Sequence, residues 1–219
     1  MKPKRRPSRA LLVGVTVAAW LVTETRTLAR KPVTLVIAFH VTYLDGTPVV
    51  EDAFIDERLE QANRIFAPYG VAFAKTTAQP LGSEHAILEN RADRDALGAL
   101  VGRGVIDCFV VRAFRDVDDP TEMRRGVHWH SQTHPGAHFV IISTIGGQYV
   151  LAHELGHYLG NPEHSDAPGN LMNPHQLGRD PVLNSPQVRK LERTLRRYLD
   201  RHELRPVRRD TAPPGLSRK

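Results

Sequence analysis

The segment His153-Glu-Leu-Gly-His-Tyr-Leu-Gly-Asn-Pro-Glu-His164 decides the fold and the chemistry of this chain of 219 residues. Its first and fifth residues, His153 and His157, are four positions apart, so both imidazoles lie on one face of a helix and can reach one tetrahedral metal ion. Glu154 stands beside them, where its carboxylate can act as a general base rather than as a ligand. The spacing therefore predicts a Zn²⁺ site on a helix over residues 148–159.

The residues after this helix predict a chain reversal toward the metal. Gly160 stands where the helix must end, and a glycine can adopt the left-handed conformation that turns the chain back. The reversal brings the segment Asn161-Pro-Glu-His164 toward the ion. After a further turn, Pro168-Gly-Asn-Leu-Met172-Asn-Pro174 places a methionine beneath the site.

Taken together, these residues resemble the metzincin family of zinc peptidases, whose pattern is His-Glu-x-x-His-x-x-Gly-x-x-His followed by a methionine-containing turn. The chain departs from that pattern once, because the third ligand position is Glu163 and the histidine stands one place later, at His164. Either the loop is one residue longer and His164 binds the ion, or Glu163 is the ligand. We prefer His164, because it completes the site of three histidines that the family uses. The resemblance also implies that Met172 forms the Met-turn.

The coarse order of elements predicts an α/β fold in which a sheet packs against helices. The resemblance makes this more specific and implies an α+β arrangement: a twisted, mostly parallel sheet with an antiparallel edge strand, an active-site helix and a C-terminal helix. The predicted strands cover residues 33–43, 71–74, 105–111 and 137–143, and the predicted helices cover residues 51–66, 86–101 and 148–159 and a last helix from Ser185 onward.

The substrate-binding strand is expected in the segment before the zinc helix. By the resemblance, Phe139, Val140, Ile141, Ile142 and Ser143 form the edge strand that pairs with an extended peptide through main-chain hydrogen bonds. Residues 115–136 read as a long loop, which in a compact domain is usually functional or mobile.

Four histidines lie close together in the segment that runs from Gly126 to His138. Residues His128, His130, His134 and His138 can bind a second, structural metal, or they can be loop histidines that line the substrate cleft. The segment contains no carboxylate that would support the metal-binding interpretation. Both interpretations stay open at this point.

The chain ends differ in composition from its middle. Residues 1–30 have the layout of a signal peptide or an N-terminal membrane anchor, with basic residues before an apolar run over 10–22, and predict an extracytoplasmic protein that is secreted or tethered to the membrane. Residues 31–200, the predicted catalytic domain, carry 17 Lys and Arg against 21 Asp and Glu, so the net charge of +6 comes from the ends. A basic, disordered tail is predicted over residues 201–219, and nucleic-acid binding is not implied.

The function predicted from these features is zinc-dependent endopeptidase activity. Peptide or protein substrates would be hydrolysed by a zinc-activated water, with Glu154 as the general base. The alternative is a noncatalytic extracytoplasmic binding module with a structural or vestigial zinc site. Structural zinc sites close with four protein ligands, whereas only three plausible ligands are found here. A third interpretation, a zinc peptidase of another clan with a distant glutamate ligand, is weakened by the nearby His164 and Met172.

Overall fold

The computed structural model describes residues 32–175 and 180–207. The predicted signal peptide or anchor, with its apolar run over residues 10–22, lies outside the described residues, and so does the end of the predicted tail, residues 208–219. Across the described ranges, no helix combines the length and the apolar character that crossing a membrane requires.

Nine strands and four α-helices make up the described chain. The strands are β1 (Val33–Val41), β2 (Tyr43–Leu44), β3 (Thr47–Pro48), β4 (Val71–Thr77), β5 (Ile87–Leu88), β6 (Ile106–Val111), β7 (Ala113–Phe114), β8 (Gly126–His130) and β9 (His138–Ser143). The α-helices are α1 (Asp52–Phe66), α2 (Arg91–Ala96), α3 (Val150–Tyr158) and α4 (Ser185–Asp200), and short 3₁₀ helices cover Ala67–Tyr69, Ser83–His85 and Leu97–Leu100.

The main sheet has five strands in the order β4-β1-β6-β9-β8. Strands β4, β1, β6 and β9 run parallel, whereas β8 pairs antiparallel with β9 at the edge. Two pairs of short strands, β2 with β3 and β5 with β7, lie outside this sheet. The prediction of a mostly parallel sheet with one antiparallel edge strand is therefore confirmed.

Both faces of the sheet are covered. The apolar sides of α1, α3 and α4 pack on one face and form the larger core, and the segment that includes Leu81, Leu88, Leu97 and Phe114 covers the other face. Every residue of β6 is buried, as its continuous apolar run predicts for a strand covered on both sides.

The predicted position of the edge strand is wrong. The segment Phe139–Ser143 belongs to β9, which has β6 on one side and β8 on the other, so its main-chain groups already have neighbours on both sides. The true edge strand is β8, Gly126–His130, which lies inside the predicted loop over residues 115–136. Glycine and histidine replace the alternating apolar residues by which a strand is usually recognised, so the sequence conceals β8.

The C-terminal end of the described chain continues past α4. Helix α4 begins at Ser185, as predicted, and its N-cap is Asn184, which shares reciprocal hydrogen bonds with Gln187. Residues 201–207, which the sequence assigns to the tail, lie against the sheet: Leu204 is buried and bridges to Gly104.

Candidate metal centre

Helix α3 holds two histidines in fixed orientations. The Nδ1 atom of His153 lies 2.8 Å from the carbonyl oxygen of Leu171, and the Nδ1 atom of His157 lies 2.8 Å from that of Asn161. A carbonyl oxygen only accepts hydrogen bonds, so Nδ1 carries the proton in each ring and the lone pair of Nε2 is free for a ligand. Carbonyl groups that fix the ring in this way are the usual outer partners of metal-binding histidines.

The chain reversal at Gly160 places the third histidine, His164, beside the two histidines of α3. Gly160 has a φ of 99°, in the left-handed region, and a Cβ atom there would lie 2.2 Å from Oγ1 of Thr194 on α4. The backbone amide of Asn161 then donates to the carbonyl of Gly156 at 3.1 Å. A glycine is required at this position both for its conformation and for the close approach of α4.

The three Nε2 atoms converge on one point. They are separated by 3.1 Å between His153 and His157, 3.4 Å between His153 and His164, and 3.3 Å between His157 and His164. Ligands about 2.0–2.1 Å from a tetrahedral ion such as zinc are about 3.3–3.4 Å apart, so the three nitrogens fit such an ion. With three protein ligands, a fourth position stays open.

Glu163, the other residue considered as a third ligand, is placed elsewhere. Its side chain is exposed and forms a salt bridge with Lys190 on α4. The structure therefore brings His164, and not Glu163, to the pair on α3, which corresponds to a loop that is one residue longer than the metzincin pattern.

The environment keeps the imidazoles on α3 neutral, as metal ligands must be. Burial lowers the pKa of His157 to about 4, and the nearby charge of His153 acts in the same direction. Burial also lowers the pKa of His153. Both rings can therefore offer a lone pair at neutral pH.

Met172 packs against helix α3 at Gly156. Its side chain is fully buried, and its Sδ atom lies 2.5 Å from the place that a Cβ atom on Gly156 would occupy. The turn is tied to α4 through Asn170, whose side chain accepts from the amide of Met172 at 2.9 Å and exchanges two hydrogen bonds with Gln187. The sulfur can approach the helix this closely only because residue 156 has no side chain.

Glu154 lies between α3 and the edge strand β8. Only 5% of the residue is exposed, and burial raises the pKa of its carboxyl group to about 8, against the opposing effect of the backbone amide of His128. A Cβ atom on Gly126 would lie 2.7 Å from Oε1 of Glu154. Gly126 thus allows the edge strand to pass directly over the carboxylate. The sequence analysis did not identify this glycine as part of the site.

An open groove passes along β8 and over the metal centre. It consists of two cavities of about 440 and 650 Å³ that share four lining residues: Arg124, Gly126, Glu154 and His164. The metal centre and the carboxylate are therefore accessible from the groove.

The main-chain groups of every second residue of β8 point toward the open edge. The amide of Ser143 donates to Arg125 at 2.9 Å, and the amide of Ser131 donates to Ala137 at 3.0 Å. In an antiparallel pair, residues alternate between facing the neighbouring strand and facing away. The groups of residues 125, 127, 129 and 131 thus face β9, and those of residues 126, 128 and 130 face away from it.

This architecture is similar to that of two metalloproteinases of known structure. The chain is similar to metalloproteinase-II from Bacteroides fragilis, with a TM-score of 0.51 and 16% identity over 77% of this chain and 55% of that chain. It is also similar to mature mirolysin from Tannerella forsythia, solved in complex with a cleaved peptide, with a TM-score of 0.52 and 13% identity over 80% of this chain and 100% of that chain. Neither a protein-family model nor a curated protein matches the sequence. At these identities the likeness establishes the fold alone.

Proposed function

We propose that the protein is an exported zinc metalloendopeptidase of the metzincin type. The observation that carries this proposal is the convergence of three histidine Nε2 atoms at separations of 3.1–3.4 Å. Glu154 supports it, because this acidic residue stands between the two histidines of α3 and lines the groove into which the metal centre opens. The metalloproteinase fold of the similar structures agrees with this function.

His153, His157 and His164 would hold the zinc ion. When bound, Zn²⁺ would supply a Lewis acid that polarises the scissile carbonyl and makes a neighbouring water more acidic. The chain contributes the fixed orientation of its imidazoles: carbonyl groups hold two of the rings, and Met172 packs beneath α3. Three ligands in place before the ion arrives reduce the reorganisation that binding would require.

Glu154 would act as the proton carrier of the reaction. The positive charge of a bound Zn²⁺ would lower the pKa of this carboxyl group, and the carboxylate would accept a proton from the water that attacks the scissile carbonyl and later deliver that proton to the amine that leaves. The products are one new carboxylate and one new amine, so the water is fully consumed. The closeness of Gly126 and β8 keeps this carboxylate in a fixed, largely dry position, which favours transfer along a short path.

The peptide would lie in the groove as an extended strand beside β8. Residues 126, 128 and 130 would offer it their outward main-chain groups, and such strand addition binds peptides without strong sequence preference. The substrate strand of this proposal is thus β8, in place of the residues 139–143 predicted from the sequence. Export of the enzyme is supported by the layout of residues 1–30 alone, and the charge balance of residues 31–200 favours peptide over nucleic-acid partners.

Replacing Glu154 by Gln tests the proposal. The variant keeps the size of the side chain and removes its capacity to take a proton, so we expect zinc to be retained and hydrolysis of a quenched peptide library to fall by at least about 100-fold. Glu163→Gln is the matched control, because Glu163 is exposed and paired with Lys190. That variant should keep both zinc and activity.

Two outcomes would count against the proposal. Unchanged hydrolysis by zinc-loaded Glu154→Gln would remove the proton carrier from the mechanism. A wild-type chain that binds zinc and cleaves no peptide of the library would favour the binding module with a structural or vestigial zinc site.

A further inference from the structure

A second group of three histidines lies on the β8–β9 hairpin. His130 is directly opposite His138 in the antiparallel register, and His128 precedes it by two residues. Side chains two residues apart on a strand, and side chains directly opposite each other on paired strands, share one face of the sheet. The three rings therefore meet on the face that also packs against α3. His134, the fourth histidine of the segment, stands apart and hydrogen bonds with Thr133.

The ring centres of this group are spaced like those of the first metal centre. Its ring centres are 4.6, 5.3 and 5.2 Å apart, compared with 4.8, 5.3 and 5.0 Å for the three histidines of the first centre. Two imidazoles bound to one tetrahedral zinc ion have ring centres about 5 Å apart. Nε2 of His128 and Nδ1 of His138 are 3.0 Å apart, close to the separation of two ligands of one ion. One ligand nitrogen from each ring lies within 4.8 Å of the others.

The surroundings hold two of these rings in place and keep them uncharged. His138 stacks on Tyr158 of α3, with ring centres 4.3 Å apart and an angle of 23° between the planes. Burial lowers the pKa of His128 to about 2 and that of His138 to about 4, and the neighbouring histidines add to both shifts. Neutral imidazoles with a free lone pair are suitable ligands for zinc and its neighbours in the first transition row.

We propose that His128, His130 and His138 form a second site for a divalent transition-metal ion, separate from the first centre and sharing no ligand with it. His130 is exposed, so the remaining coordination position of the ion faces the groove. An ion at this site would link the edge strand β8 to β9 and stabilise the strand along which peptides are proposed to bind. The site does not depend on the proposed peptidase function.

Counting the zinc ions that the full chain retains tests this second site. The chain is stripped with a chelator, loaded with Zn²⁺, freed of loosely bound metal and measured by mass spectrometry. We expect two ions in the wild type, one in His130→Ala, one in His164→Ala and none in the double variant. His130 is exposed, so its removal should leave the fold intact, which circular dichroism checks. His134→Ala is the matched control and should keep two ions.

The same counts show how the inference would fail. One ion in the wild type, still present in His130→Ala and lost in His164→Ala, would mean that the second group is a hydrogen-bonded histidine cluster without metal. Two ions in both the wild type and His130→Ala would place the second ion elsewhere and would also overturn the site. Failure of the peptidase proposal has a different signature: hydrolysis is absent, or the ion that depends on His164 is absent, whereas the ion that depends on His130 is still counted.

Discussion

Replacing Gly126 by alanine tests the contact between the edge strand and the carboxylate most sharply. The new Cβ atom would lie 2.6 Å from Cγ2 of Val150 and 2.7 Å from Oε1 of Glu154, whereas ordinary contacts begin at 3.4 Å. Either β8 or the side chains on α3 must therefore move by about 0.8 Å.

The cost of this movement follows from known effects of overpacking. Inserting a methyl group into a filled site destabilises by about 1–3 kcal/mol, and the reduced freedom of the unfolded chain returns about 0.4–1 kcal/mol. The middle of each range gives a net loss of about 1.3 kcal/mol, which corresponds to a decrease in Tm of about 3–5 °C for a chain of this size. A displacement of nearly 1 Å at the proposed proton carrier should also lower kcat/KM by about 10- to 100-fold.

Thermal unfolding and hydrolysis of a quenched peptide measure the two effects on the same sample. Gly147→Ala is the matched control, because a Cβ atom there meets nothing within 4 Å. If Gly126→Ala and Gly147→Ala gave the same Tm and the same kcat/KM, the inference that β8 lies directly on Glu154 would be refuted.

Three further predictions concern the elements that hold the metal centre. Gly160→Ala should lower Tm by several degrees, because residue 160 has a φ of 99° and its Cβ would meet Oγ1 of Thr194 at 2.2 Å; an unchanged Tm would contradict the tight reversal. Asp95→Ala should lower the free energy of unfolding, measured by chemical denaturation, by about 2–3 kcal/mol. The buried carboxylate accepts a hydrogen bond from Trp129 Nε1 at 2.8 Å, and its removal leaves that donor unpaired. Equal midpoints for variant and wild type would argue against this anchor of β8. Removing metal with a chelator should lower Tm, and added Zn²⁺ at about 100 times its Kd should restore about 2.7 kcal/mol of stability; a Tm that does not respond to zinc would mean that the folded chain does not bind it.

Much of the first metal centre could be predicted from the sequence because its residues are close together along the chain. His153 and His157 lie on one helix, and Gly160 provides the reversal that brings His164 back. The sequence favours His164 over Glu163 because His164 completes a site of three histidines, and in the structure Glu163 is exposed and paired with Lys190 on α4. Local spacing and one glycine were sufficient for these inferences.

The parallel part of the sheet was predicted for a related reason. Continuous apolar runs, such as that of β6, indicate strands that are covered on both faces. The order of these strands with the helices then leaves few topologies. What such runs cannot show is which strand lies at an edge, and Phe139–Ser143 was assigned to the edge although it lies inside the sheet.

The edge strand and its glycine could not be found because their role depends on distant contacts. The sequence of β8 contains Gly126, His128 and His130 in place of apolar residues. The structural role of these residues can be recognised only from their contacts with α3 and β9. The same is true of Leu204, an apolar residue in a charged segment, which is buried where it pairs with Gly104. Such residues carry no periodic pattern that a sequence analysis can detect.

The most direct test of the central claim is an anomalous diffraction map, recorded at the zinc edge from crystals of the zinc-loaded full chain. The proposed function predicts a peak about 2.0–2.1 Å from Nε2 of His153, His157 and His164, with Glu154 nearby and not bound to the ion. No peak at this position, or a peak bound by the carboxylate of Glu163 in place of His164, would contradict it.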